Sequence, residues 1–171
     1  MAKQLEKPHQ GSKLKVALLT LLGHEPVVPI NVAYYLIAKE EGIGLVYVIG
    51  SKDSILKYYE KVLKALNAMG VADVRSRKIS EVNISRNKGL IKSLLFRVVN
   101  EGYDKVYVDI TGGRKPMSIS AAMAVMEFLR EGSIEGKAVQ VEMVYLHLKD
   151  RRYRGEFLPY IPQSCYDLEI I

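Results

Sequence analysis

A three-layer α/β sandwich of Rossmann type, with a mainly parallel central sheet, is the fold class this sequence predicts. Three observations carry the prediction. Short apolar runs alternate along the chain with amphipathic stretches of helical length, the pattern of βαβ units closed by right-handed crossovers. The runs "KVALLT" and "GLVYVIG" are apolar almost throughout, as strands covered on both faces are, rather than alternating. Apolar residues make up 49% of the 171, enough to fill the core of one domain of ordinary size.

Each element follows from local signals. The first strand is read over Lys15–Thr20. It breaks at "LLGHEP", after which "VVPINVAYYLIAKEEG" has helical spacing and closes on Gly42. Gly44–Gly50 forms a second strand, and Ser51 offers an N-cap to "DSILKYYEKVLKALNAMG", whose apolar residues recur at helical intervals up to Gly70. "ADVRSRKI" alternates, as a shorter strand near a sheet edge does. "SRNKGLIKSLLFRVVNEG" is a third helix, "DKVYVDIT" a fourth strand and "KPMSISAAMAVMEFLREG" a fourth helix. "AVQVEMVYLHLKD" alternates as a strand with one wet face, and "RRYRGEFLPYIP" is expected to return beside it as a C-terminal β-hairpin. Residues 1–13 are polar and are expected to be a disordered lead-in, leaving residues 14–171 as a single domain.

Composition excludes several classes. No apolar run approaches the roughly 18 residues that a membrane span needs, and the polar N-terminus lacks a signal-peptide core, so a cytoplasmic location and no membrane partner are expected. The lone Cys165 provides neither a disulfide nor a thiolate metal site, and no metal or cofactor is expected. The formal net charge of +6 favours an anionic partner, and the position of the cations matters more than their number.

In open α/β sheets ligands bind at the carboxyl ends of the strands, near the switch in strand order. Two loops on that edge stand out, "TLLGHEP" after the first strand and "DITGGRKPM" after the fourth. In the second, Gly112 and Gly113 let backbone approach a ligand with no Cβ in the way. Pro116 suits the first turn of a helix. That helix N-terminus offers amide donors and a partial positive charge to an anion, and Arg114 and Lys115 add full charges. Two cations oppose the helix dipole there, a cost that an anion would relieve. Asp109 and Thr111 are placed to brace the turn or touch a ligand hydroxyl. The bland alternative is a tight strand–helix turn with surface cations. No GxxxxGK[ST] occurs, and one glycine stands where a dinucleotide fold wants GxGxxG, so Walker-type nucleotide and NAD or FAD binding are unsupported.

"DITGGRKPMS" resembles the D-x-T-G-G-x-K-x-M signature of the CRISPR-associated Rossmann-fold (CARF) domains, and "LLTLLGHEP" resembles that family's other ligand loop. The resemblance implies a homodimer whose two-fold axis runs through a pocket for a cyclic oligoadenylate, usually tetra- or hexa-adenylate, made during type III CRISPR interference. Two copies of a basic helix N-terminus suit a two-fold ring of phosphates. Asp109, Thr111, Gly112, Gly113 and Lys115 match the signature, Thr20, Gly23 and His24 fall in the first loop, and Arg114 occupies a variable position.

In many relatives the domain is fused to an effector. A HEPN ribonuclease would need an arginine four to six residues before a histidine, and none is so placed; "EGK" at Glu135–Lys137 is the kind of acid-x-Lys match that chance supplies. Stand-alone members of the family include ring nucleases, and the resemblance implies their metal-independent attack of a ribose 2′-OH on the adjacent phosphorus. Lys115, Arg114 and the helix N-terminus are expected to stabilise the phosphorane, and His24 is the candidate for proton transfer because an imidazole can both take and give a proton. Lys149, Arg151 and Arg152, in "HLKDRRYR", form either a solvated turn or a phosphate clamp, and Tyr153 is a candidate stacking partner for adenine. His147 reads as a sheet residue and His9 lies in the lead-in. Two further readings stay open: a non-catalytic cyclic oligoadenylate sensor acting through a separate partner, and a general RNA- or DNA-binding α/β domain. Long nucleic acid is not the expected partner.

Overall fold

The computed structural model describes residues 14–40, 42–131 and 139–171. The expected lead-in, residues 1–13, and the Glu135–Lys137 tripeptide lie outside them. Strands and helices alternate as β1 (Val16–Leu22), α1 (Val27–Glu40), β2 (Leu45–Gly50), α2 (Lys52–Ala68), β3 (Asp73–Lys78), α3 (Ile84–Asn100), β4 (Lys105–Asp109), α4 (Lys115–Glu131), β5 (Gln140–Leu148) and β6 (Tyr166–Ile170). The sheet order is β3-β2-β1-β4-β5-β6. The first five strands run parallel and β6 lies antiparallel on β5. The chain builds outward from β1 to β3, then returns to the other side of β1, so the topological switch falls between β1 and β4.

Every residue of β1 and β2 is buried, because helices cover both faces of the sheet. Leu19, Tyr47 and Val108 pack under α3 and α4, while Leu18, Val46 and Tyr107 point to the other face with α1 and α2. β3 is one of the two edge strands, and its C-terminal half, Ser76–Lys78, is exposed and carries Arg77 and Lys78, which discourages further strand pairing. Ser51 caps α2 as expected, its hydroxyl accepting from the Ser54 amide at 3.1 Å.

Two expectations need correcting. β1 continues through Leu21 and Leu22, because the apolar run does not end at Thr20; Thr20 is therefore a strand residue, paired across from Asp109, and not part of the loop. The hairpin partner of β5 is β6, "YDLEI", and not "RRYRGEFLPYIP". Pro159 and Pro162 have no N–H to give a ladder, so that segment coils into single 3₁₀ turns at Arg151–Tyr153, Leu158–Tyr160 and Gln163–Cys165. The connection is pinned across α1. The buried Asn31 donates to the Glu156 carbonyl at 2.9 Å and accepts from the Leu158 amide at 2.8 Å, while Leu158 and Ile161 enter the α1 side of the core.

Candidate functional site

Beneath the glycine turn lies a chain of hydrogen bonds that joins three strands. Thr20 and Asp109 face one another in register. Thr20 Oγ1 donates to Asp109 Oδ2 at 2.6 Å, and the Thr111 amide donates to Asp109 Oδ1 at 2.8 Å. Thr111 Oγ1 in turn accepts from the Leu146 amide of β5 at 2.7 Å. Thr20 and Asp109 have no exposed surface, so both brace the turn from below and present nothing to its outer side. Burial pushes the Asp109 carboxyl up to about 6, outweighing the hydrogen bonds from Thr111 and Thr20 that favour its charge.

The turn itself is shaped by backbone contact. A Cβ on Gly112 would stand 2.1 Å from the Leu21 carbonyl oxygen, a distance no side chain tolerates. Gly113 has φ +79°, in the left-handed region that favours glycine. A Cβ on Gly23 would lie 3.0 Å from the Gly113 amide nitrogen. The loops after β1 and β4 thus touch through glycine backbone, as the switch point requires. The turn is held on α4 by Ser118, whose hydroxyl donates to the Gly112 carbonyl at 3.0 Å. α4 opens at Lys115; Pro116 has no N–H, and the Met117 and Ser118 amides donate to the Arg114 carbonyl at 2.8 and 3.2 Å, so within that turn the Lys115 amide is the donor left without a backbone partner among the described residues.

The cations around this crevice divide into two kinds. Lys115 is exposed and, among the described residues, makes no ion pair. Arg114 is held by Glu81 of the β3–α3 loop, Nε to Oε2 at 3.1 Å, so its charge is already matched within the chain. This removes part of the cost expected from two cations at a helix N-terminus. Lys149 pairs with Asp167 at 2.5 Å and Arg152 with Asp150 at 2.6 Å, both on the surface, so each of these charges is matched within the chain. Arg151 is exposed without an ion pair among the described residues, and it lines a cavity that also reaches Thr111. His24 follows Gly23 and is exposed on the same edge. His147 is exposed on β5, its ring centroid 6.3 Å from that of Tyr145.

That cavity, of about 470 Å³, lies between the start of α1, the end of β5 and the segment after β5. Arg154 spans its rim, Nε donating to Glu25 Oε1 at 2.6 Å across 129 residues of sequence. Sequence reasoning missed Glu25, Asn31 and Glu81. No local pattern marks them, since their partners are brought in by tertiary folding alone. Among the described residues no group of three or more His, Cys, Asp or Glu side chains is placed to hold a metal ion, and no helix is long and apolar enough to cross a membrane.

The molecule is thus a Rossmann-like α/β domain with a glycine-lined, basic crevice at its switch point. No family model matches the chain, and no curated protein matches it by sequence. Solved structures do share its fold. Csm6 from Enterococcus italicus, bound to cyclic hexa-2′-fluoro-hexa-dAMP, is similar over 92% of this chain and 43% of its own, with 12% identity and a TM-score of 0.60. A type III CRISPR defence DNA nuclease activated by cyclic oligoadenylate is similar over 87% of this chain and 20% of its own, at 18% identity and TM-score 0.54. Can2 from Sulfobacillus thermosulfidooxidans, in complex with cyclic tetra-adenylate, is similar over 76% of this chain and 31% of its own, at 12% identity and TM-score 0.53. The chain therefore spans less than half the length of each. Likeness at such identities establishes the fold alone, the Rossmann-like α/β sandwich that the sequence predicts.

Proposed function

We propose that this chain binds a cyclic oligoadenylate in a homodimeric pocket and cleaves it, in the manner of a ring nuclease of type III CRISPR signalling. The observation that carries the reading is the meeting of the Gly23 and Gly112–Gly113 backbones beside the start of α4, with Lys115 exposed and unpaired among the described residues. The glycines let the two loops close against one another, which sets the Lys115 amide and the Lys115 ammonium at the crevice as the donor and the charge for a phosphate. Structures of similar fold are complexes with, or are activated by, such rings, which supports the ligand class.

A second copy of the same turn would face the other half of a two-fold ring. The exposed row Ile119, Met123, Met126 and Leu129 on α4, 43–65% accessible and starting one turn after Lys115, supports a contact between copies next to the site. In the cleavage step a ribose 2′-oxygen attacks the adjacent phosphorus and its P–O5′ bond breaks. The products are a 2′,3′-cyclic phosphate and a 5′-hydroxyl, so a proton leaves the 2′-OH and another joins the 5′-oxygen. The domain's part is to hold the attack in line and to stabilise the phosphorane through the Lys115 side chain and amide at the start of α4, with Arg114 available where a phosphate displaces Glu81. His24 stands on the same edge for proton transfer.

The test is incubation of the pure protein with labelled cyclic tetra-adenylate in EDTA, with resolution of the products and calorimetry in parallel. Linear products ending in a cyclic phosphate are expected. Tight binding with an intact ring would leave a sensor instead, and no binding would overturn the reading. Lys115→Ala should weaken ring binding roughly 10- to 100-fold, the worth of a charge-assisted contact to phosphate.

A further inference from the structure

Unmatched positive charge gathers at the β3 end of the sheet, the end opposite to β5 and β6. Lys52 opens α2, Arg77 and Lys78 end β3, and Arg86 lies in the first turn of α3. All are exposed, and none makes an ion pair among the described residues. Lys88 and Lys92, further along α3, are by contrast matched by Glu127 of α4. Neighbouring acids are already engaged, Asp73 by Arg75 and Glu81 by Arg114, which leaves Asp53 beside Lys52.

Backbone pairing draws these cations together. Lys78 stands opposite Gly50 in the β2–β3 register, and Lys52 follows Gly50 by two residues. Val74 packs on the α1–α2 side, so strand alternation sets Lys78 on that side with Lys52. Arg75 reaches Glu101 at the end of α3, so Arg77 takes the α3 side with Arg86. The start of α3 is fixed to the end of β3 through Asn87, whose side chain accepts from the Ser80 amide at 2.9 Å and donates to the Ser80 carbonyl at 2.6 Å. Asn83 accepts from the Arg86 amide at 2.9 Å. No strand of the sheet lies beyond β3, so this rim is open to a long ligand.

We infer that the rim of Lys52, Arg77, Lys78 and Arg86 is a docking surface for the phosphodiester backbone of a nucleic acid strand, held by charge without base readout. Cations fixed near one another repel, and a polyanion relieves that repulsion. A protein partner would need an apolar core to bury, yet the exposed Leu56 and Val82 stand singly on separate segments. No exposed aromatic ring among the described residues accompanies these cations, so bases find no stacking platform and the backbone alone is gripped. The rim goes beyond the crevice and does not depend on ring binding there, and it adds a partner class that the loop motifs did not favour.

The test is fluorescence anisotropy of the full chain with a labelled oligouridylate of ~20 residues and an oligodeoxythymidylate of the same length, at 50 and 200 mM salt. With about four phosphates neutralised, affinity for each strand should fall about 50-fold between those salts. Lys52→Gln, Arg77→Gln, Lys78→Gln and Arg86→Gln combined should remove most of that salt dependence and weaken strand binding at least tenfold at the lower salt. Cyclic tetra-adenylate binding by the same variant should match wild type, because Lys115 and the glycine turn are untouched. Strand binding that survives in the variant, or that is absent from wild type, overturns the rim. So does an oligoglutamate of equal charge that binds wild type as tightly, since the partner would then be an acidic protein segment. A variant that loses ring and strand together also overturns it, by making rim and crevice one site. A wild type that binds the strand through these residues and ignores the ring supports the rim and sinks the ring reading.

Discussion

Asp109 shows what burial does to a single side chain. Its folded carboxyl sits at about 6 against an ordinary 3.8, because desolvation disfavours the charge more than Thr111 and Thr20 favour it. A raised folded value means the native state holds its proton more tightly than the unfolded chain. The resulting stability is fully present below about pH 3.8 and is lost as pH rises through 6, on the order of 3 kcal/mol in all. Asp109→Asn keeps an acceptor for Thr111 and can donate to Thr20. The stability of the variant relative to wild type should therefore climb as pH is raised from 4 to 7, read by urea denaturation at each pH; a difference that stays level would refute the account. Arg114 is governed by a neighbour instead. Glu81→Gln frees its guanidinium from the Glu81 carboxylate, so cyclic tetra-adenylate should bind a few-fold tighter by calorimetry, whereas Arg114→Ala should cost less than Lys115→Ala.

At the scale of elements, the turn between β4 and α4 is decided by how near it runs to β1. Gly112→Ala would drive a Cβ to 2.1 Å from the Leu21 carbonyl, and neither backbone can give way without breaking the β1–β4 pairing below. A loss of more than about 3 kcal/mol, or failure to fold, is expected in thermal denaturation. Gly89 is the contrast. It lies exposed inside α3 with nothing within 4 Å of where an alanine methyl would stand, so Gly89→Ala should stabilise by about 0.5–1 kcal/mol through helix propensity and the unfolded-state entropy. Two glycine-to-alanine changes of opposite sign in one domain separate a glycine needed for close approach from one that is merely tolerated.

For the whole molecule, the proposed assembly makes a stoichiometric prediction. Calorimetry should give one ring for two chains, and sedimentation should give a species of twice the 19.2 kDa chain mass. Met126→Lys, at the centre of the exposed α4 row, should shift that species toward monomer and weaken ring binding with it. A monomer that binds one ring per chain would refute the two-fold pocket.

The sequence alone was enough for the architecture and for half of the crevice. Short, almost wholly apolar runs such as "VALLT", too short for a buried helix, fit a strand covered on both faces, and the intervening amphipathic periods leave little choice of layer. The glycine turn was legible for a similar reason: Gly-Gly before Arg-Lys-Pro states a backbone requirement and a helix start within seven residues. "RRYRGEFLPYIP" misled because its alternating aromatic and apolar residues look like a strand, while its two prolines forbid the ladder that a strand needs. What only the tertiary structure decided is who meets whom across long separations. Arg154 finds Glu25, Arg114 finds Glu81, and Asn31 holds the segment that closes the cavity. Exposed charges and hydrogen-bonding side chains take partners by proximity in space, and proximity is a property of the finished fold, so no local pattern announces those pairs.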